Sequence, residues 1–148
     1  VYTSEPGNVT ISGALDGVDV LVEITKHREI IARVDYAYGR TTPWTIVRAT
    51  LPHPPDVLIL VSKGSTPDGW ELAALGDAAL DAKYRFAVRP GAALIDVLPA
   101  AALDVLREAP QPIYLYKDRT LWGRRFVEKD AERLKHALKM SARLANAL

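Results

Sequence analysis

The stretch from Asp130 to Leu148 constrains this chain more than any other. Leu134, Ala137, Leu138, Ser141, Leu144, Ala145 and Leu148 recur at helical spacing along one stripe, and Lys129, Arg133, His136, Lys139 and Arg143 fall on the opposite side. A helix of this kind must bury its apolar stripe against another element. The segments before it are rich in strand patterns, so the partner it requires is a sheet.

Those patterns run in order. Val9 and Ile11 alternate with Thr10 and Ser12 over Asn8–Leu15, and Val18, Val20, Val22 and Ile24 alternate with polar positions over Val18–Lys26. Asp16-Gly17 between them is a strong two-residue hairpin signal. We then expect a polar turn at Lys26–Glu29, a strand over Ile30–Tyr38, a turn at Gly39–Pro43 and a strand over Trp44–Leu51. The prolines at 52, 54 and 55 lack the donor a ladder needs. Val57–Ser62 is short and almost wholly apolar, which suits a strand covered on both faces.

The second half reads differently. Gly64–Gly69 is turn chemistry, Trp70–Leu75 suits one helical turn, and Leu80–Arg89 alternates like a strand. Ala92–Leu98 and Pro99–Arg107 form a helical pair, because proline is tolerated in a first helical turn. Ile113–Lys117 and Thr120–Phe126 pair as a hairpin around Asp118-Arg119, and Asp130 places an acid at the positive end of the last helix. Strands come first and helices late. The expected fold is therefore α+β: a mostly antiparallel sheet, with helices concentrated in the C-terminal half and packed on one face.

At 148 residues the chain fits one domain with a real core. It begins at Val1 without a methionine, and we expect residues 1–148 to be a single domain taken from a longer protein. The absence of cysteine excludes disulfides, thiolate nucleophiles and sulfur-based zinc sites. No apolar run approaches membrane-span length, and the expected setting is cytoplasmic or cytoplasm-facing.

The net charge of +1 hides an asymmetry. Residues 1–108 carry 10 basic and 14 acidic side chains, whereas residues 109–148 carry 9 basic and 4 acidic ones. Tyr114, Tyr116 and Trp122 interleave with Lys117, Arg119, Arg124 and Arg125 on the expected hairpin, and Lys135, Lys139 and Arg143 follow on the helix. Cations beside aromatic rings suit an anionic ligand: single-stranded nucleic acid, a lipid head group or an acidic protein. Nucleic acid is the least favoured of these, because the chain lacks the pronounced basic excess such binders carry. The bland alternative is a solvated hairpin and helix face.

Catalytic signals are absent. His27, His53 and His136 stand apart without a second histidine at ligand spacing. Ser62–Thr66 lacks the spaced glycines of a phosphate loop. No cofactor or metal is expected. A site assembled from several strands would leave no local motif, so enzymatic activity stays open, with a non-enzymatic reading favoured.

From Leu80 onward, Leu80-Asp81-Ala82-Lys83-Tyr84-Arg85-Phe86-Ala87-Val88 is followed by a small helix, then by Val97-Leu98-Pro99 opening a second, a short hairpin and the terminal helix. This order resembles a group of bacterial domains of unknown function in which a Phe-Asp-x-x-Phe-x-Val strand leads to a Leu-Pro helix start. Leu80 stands here for the first aromatic and Tyr84 for the second. The resemblance implies a bacterial source and an accessory, non-catalytic role, and transfers no active site. With no catalytic constellation in the chain, the expected partner is another protein. Self-association through an edge strand, either strand one or the late hairpin, is the other partner the sequence allows.

Overall fold

The computed structural model describes residues 2–5 and 8–148, with side chains at 8–26 and 32–148. The strands are β1 (Tyr2–Glu5), β2 (Asn8–Leu15), β3 (Val18–Ala32), β4 (Ala37–Thr50), β5 (Val57–Val61), β6 (Glu71–Ala73), β7 (Tyr84–Val88), β8 (Tyr114–Tyr116) and β9 (Arg119–Arg125). The helices are α1 (Ala78–Lys83), α2 (Leu94–Val97), α3 (Ala100–Glu108) and α4 (Ala131–Ala147). The strands form one sheet in the order β1-β2-β3-β4-β9-β8-β5-β7-β6, and every strand pairing is antiparallel. The α+β class and the late helices are as the sequence pattern predicts.

The Asp16-Gly17 hairpin forms as expected. Leu15 pairs with Val18, and both turn residues have positive φ, 52° and 77°, the backbone that two-residue primed turns require. A β-carbon on Gly17 would meet nothing within 4 Å, so the penalty of Gly17→Ala comes from backbone conformation alone. We expect about 1 kcal/mol, read as a lower urea midpoint with unchanged slope.

Several boundaries depart from the sequence reading. The expected turn at Lys26–Glu29 is absent, because β3 continues unbroken to Ala32. The chain reverses instead at Arg33–Tyr36, closed by Arg33 N–H donating to the Tyr36 carbonyl at 2.7 Å. The expected third strand, Ile30–Tyr38, is therefore split across a hairpin tip, and the expected turn at Gly39–Pro43 lies inside β4. Pro43 is tolerated there because the antiparallel β4–β9 ladder ends at Thr45–Arg124; beyond it Pro43 only accepts, its carbonyl taking the Phe126 N–H, so its missing donor breaks no ladder. Trp70–Leu75 contains strand β6 rather than a helical turn, and Leu80–Lys83 belongs to α1, whose N-cap Asp77 accepts from Ala79 N and Leu80 N. Tyr2–Glu5 adds a strand that the turn-like composition of Ser4–Gly7 concealed; Pro6 and Gly7 lie outside the described residues. The late hairpin turns at Lys117-Asp118, one residue earlier than expected, and lies inside the sheet, not at its edge.

The core lies between the sheet and the helices. Val22, Val47 and Trp122 are cross-strand neighbours on one face, and they share the buried cluster with Ile59, Phe86, Leu106, Leu115 and Leu144. The α4 stripe is as expected but wider: Met140 and Ala142 are buried beside Ala137, Ser141, Leu144 and Ala145. α4 packs across β4, β9, β3 and β2 and against α3. It is tethered at both ends. Asp130 caps its start by accepting from Glu132 N and Arg133 N at 3.0 and 3.2 Å, and Asn146 donates to the Asp16 carbonyl at 3.1 Å near its end. Removing the cap with Asp130→Ala should destabilise the fold by about 1 kcal/mol, measured by chemical denaturation.

Candidate functional site

Three surfaces could carry function. The first is built by β3 and β4. Beyond the last β2–β3 pair, Val9–Ile24, and the last β4–β9 pair, Thr45–Arg124, these strands continue as a ribbon from Lys26–Pro43 to Ala32–Ala37. Thr42 is still buried against the body, so the ribbon stands clear from Arg28–Thr41 outward, a length of about 17 Å at strand rise. Its outer part is exposed from Ala32 to Thr41, with Val34 fully in solvent and Tyr36 and Tyr38 at 62% and 41%. The two tyrosine rings stack at 6.0 Å.

The second is an open groove of about 510 Å³ beside the β8–β9 turn, lined by Pro54, Pro55, Pro67, Trp70, Arg89, Tyr116, Lys117 and Arg119 together with Leu58, Asp68 and Asp118. The segment after β5 wraps one end of the sheet to form it. Arg85 donates to the Gly64 carbonyl and Thr66 Oγ1, and the Arg89 guanidinium sits 4.2 Å above the Trp70 ring. Lys117, with a φ of 58°, takes the left-handed turn position, and its ammonium lies 5.5 Å from the Tyr116 ring centre.

The third is a cleft of about 250 Å³ between α4 and the linker from α3 to β8. Trp122 and Ile113 form its apolar floor, Ala137 and Met140 one wall, and Gln111, Arg133 and His136 its polar rim.

The eight residues expected to bind an anion do not converge. Lys117 and Arg119 line the groove. Trp122 faces the helices and is 4% exposed, so its ring offers no open face to a base. Arg124 pairs with Glu128 at 3.0 Å, Arg119 with Asp118 at 3.2 Å, and Arg143 with Glu108 at 2.7 Å. The Arg125 guanidinium lies 5.3 Å from the Phe126 ring. Lys135 and Lys139 are exposed on α4. Charge pattern locates cations along the chain but not their neighbours, and most of these arginines are already next to a carboxylate. Arg89 and Trp70 of the groove carry no local signal in the sequence; only the fold brings them to the β8–β9 turn.

The junction between β9 and α4 is the most tightly specified polar cluster. Thr45 is 1% exposed; its Oγ1 donates to the Phe126 carbonyl at 2.9 Å and accepts from Glu128 N at 2.9 Å. Phe126 has a φ of 73°, a sparsely populated conformation for a bulky side chain, held by that bond and by its N–H donating to the Pro43 carbonyl at 2.7 Å. Glu128 accepts from Asp130 N at 2.9 Å and pairs with Arg133 and Arg124. The backbone donor from Asp130 chiefly, with the two guanidiniums, holds its carboxyl below the ordinary glutamate value of 4.5. The Arg143 side chain likewise lowers Glu108, and backbone donors with Arg107 lower Asp77.

A carboxyl lowered on folding adds stability that is complete above its unfolded range and is lost as pH falls through its folded value. The urea midpoint should therefore fall below about pH 4.5. Glu128→Gln should lower it at neutral pH and make the acid-side fall shallower.

Among the described residues, no group of three or more His, Asp or Glu side chains is placed to hold a metal, and no helix is long and apolar enough to cross a membrane. His27 lies outside the described side chains. Comparison with known proteins finds no family model, no curated protein and no solved structure that matches the chain.

Proposed function

We propose that this domain is a non-enzymatic interaction module, an accessory part of a larger bacterial protein, and that the β3–β4 arm is the element that meets its protein partner. The observation that carries this reading is the exposure of Val34, Tyr36 and Tyr38 on a ribbon standing clear of the core. An isolated two-stranded ribbon is marginally stable in water. A partner that covers the arm removes apolar and aromatic area from solvent and gains stacking on the tyrosine pair.

A photo-crosslinking residue in place of Tyr36 tests this in the source cell, with the same residue in place of Leu72, 60% exposed on β6, as the control. One discrete adduct from position 36 and none from position 72 supports the reading. No adduct, or the same smear from both positions, sinks it.

A second reading is anion binding at the groove. The specific observation behind it is the shared lining of Arg89, Lys117 and Arg119 beside Trp70 and Tyr116. Such binding weakens steeply as salt screens the cations. Inorganic polyphosphate should then bind at low ionic strength and be released by added salt, with affinity reduced in Lys117→Ala; salt-independent binding, or none, counts against it.

A further inference from the structure

We propose that the outer edge of β4 on the arm pairs with the same edge of a second copy of this chain, in a two-fold antiparallel dimer centred on Gly39. This rests on the reading of the arm as the element that meets a protein partner, and it names that partner. The hydrogen-bond pattern of the arm shows which backbone groups are on offer. Arg33 N–H donates to the Tyr36 carbonyl, and bonded pairs recur at every second position of an antiparallel ladder. Tyr38, Arg40 and Thr42, opposite Ile31, Glu29 and His27, therefore turn their N–H and C=O groups toward β3. Ala37, Gly39 and Thr41 turn theirs outward. Pro43 has the same parity, and its carbonyl does point outward, to Phe126 N. Among the described residues, no strand pairs with β4 on this side between Ala37 and Thr42. Such an edge is a template for another strand. The opposite edge of the arm carries Lys26, His27 and Arg28 along the chain, and like charge guards an edge against its own copy.

The β4 edge is complementary to itself in one register. Centred on Gly39, a two-fold pairing sets Ala37 opposite Thr41 of the second copy and Gly39 opposite Gly39, so every outward group from Ala37 to Thr41 finds a partner. Tyr38 then stands opposite Arg40 in the closer, non-hydrogen-bonded kind of pair. The two side chains share a face of β4, being two residues apart, and both are exposed. A guanidinium over a tyrosine ring is a favourable cross-strand contact, and the symmetry makes it twice. Neighbouring registers fit less well. Moving the centre to Arg40 sets two guanidiniums face to face and asks Pro43 for a donor it lacks. Moving it to Tyr38 leaves Thr41 opposite the hairpin tip. The Gly39 register also brings Val34, at the exposed tip of one arm, level with Trp44 of the other, where Phe126 bridges to Trp44 and both Phe126 and Val127 are exposed. The apolar tip of each arm then ends against an apolar patch on the other body.

Light scattering on a size-exclusion column, run over a concentration series, tests the whole chain. We expect the mass to rise to twice that of one chain. Thr41→Pro should raise the dissociation constant about tenfold, by removing one outward donor from each copy. It spares the β3–β4 ladder, because that N–H faces outward as the native Pro43 does. Arg40→Ala should weaken the dimer while leaving the circular dichroism spectrum unchanged, and it decides alone if proline at 41 disturbs the arm. In a chain without cysteine, Gly39→Cys should be oxidised to a disulfide-linked dimer far faster than Leu72→Cys on the edge strand β6. Facing Cα atoms of a hydrogen-bonded pair lie about 5.5 Å apart, within disulfide range. A monomer at every concentration, a dimer indifferent to Arg40→Ala, or equal oxidation at positions 39 and 72 overturns the proposal. Crosslinking at position 36 separates this from the broader reading. An adduct of two copies agrees with both; an adduct with a different protein, beside a monomeric pure chain, overturns the dimer and keeps the arm; no adduct sinks both.

Discussion

Trp122→Ala should be the most damaging single substitution on the basic hairpin, at about 3–5 kcal/mol. The indole is 4% exposed, stands opposite Val47 on β4 and supports α4 from below. Truncation removes its transfer free energy and joins the vacated volume to a cleft that already measures about 250 Å³, so collapse recovers little. Against a total stability of about 5–15 kcal/mol, that loss places the variant near unfolding at room temperature. Lys139→Ala, an exposed change on the helix above, should stay within about 0.5 kcal/mol. Equilibrium urea denaturation by circular dichroism measures both. If Trp122→Ala loses no more than Lys139→Ala, the indole is a surface ring and the placement of α4 is wrong.

Thr45→Val comes next, at about 2–4 kcal/mol, because one buried hydroxyl serves two backbone groups and each unpaired group costs roughly 1–3 kcal/mol. Valine keeps the shape and the strand propensity, so the loss isolates the hydrogen bonds to the Phe126 carbonyl and from Glu128 N. The same substitution frees Phe126 from its left-handed conformation. Amide exchange should therefore accelerate at Glu128–Glu132 before the rest of the sheet opens. A uniform loss of protection across the chain would show that the junction is not a separate clamp.

What was readable in the sequence follows from local periodicity. α4, the Asp16-Gly17 turn, the apolar β5 and the α2–α3 pair each carry a signal within a few residues: a stripe, a dipeptide with the right backbone freedom, a buried run, or a proline at a helix start. The errors sit where the signal depends on distant neighbours. Lys26–Glu29 and Gly39–Pro43 have the composition of turns, yet they pair with each other as Lys26–Pro43 through Glu29–Arg40. A strand standing away from the core needs no alternating apolar face, so its pattern is hidden. Leu80-Asp81-Ala82-Lys83 alternates weakly enough to read as strand. The Asp77 cap and the Asp81 side chain, which accepts from Leu75 N and Gly76 N, make it helix.

The candidate sites divide the same way. That the C-terminal part is basic was visible in composition, because charge is a sum over residues. Which cations meet each other was not, since Lys117 and Arg119 join Arg89 only where a loop wraps round the sheet, while Arg124 and Arg143 turn toward Glu128 and Glu108. Trp122 looked like a stacking face and became the cleft floor, because alternation assigns a strand residue to one of two faces without saying which face the helices cover. By itself, then, the sequence determined the class of fold and the element that closes its core. Tertiary structure alone decided the arm, the groove and the cleft, because each is made by segments far apart in the chain whose meeting depends on the order of strands in the sheet.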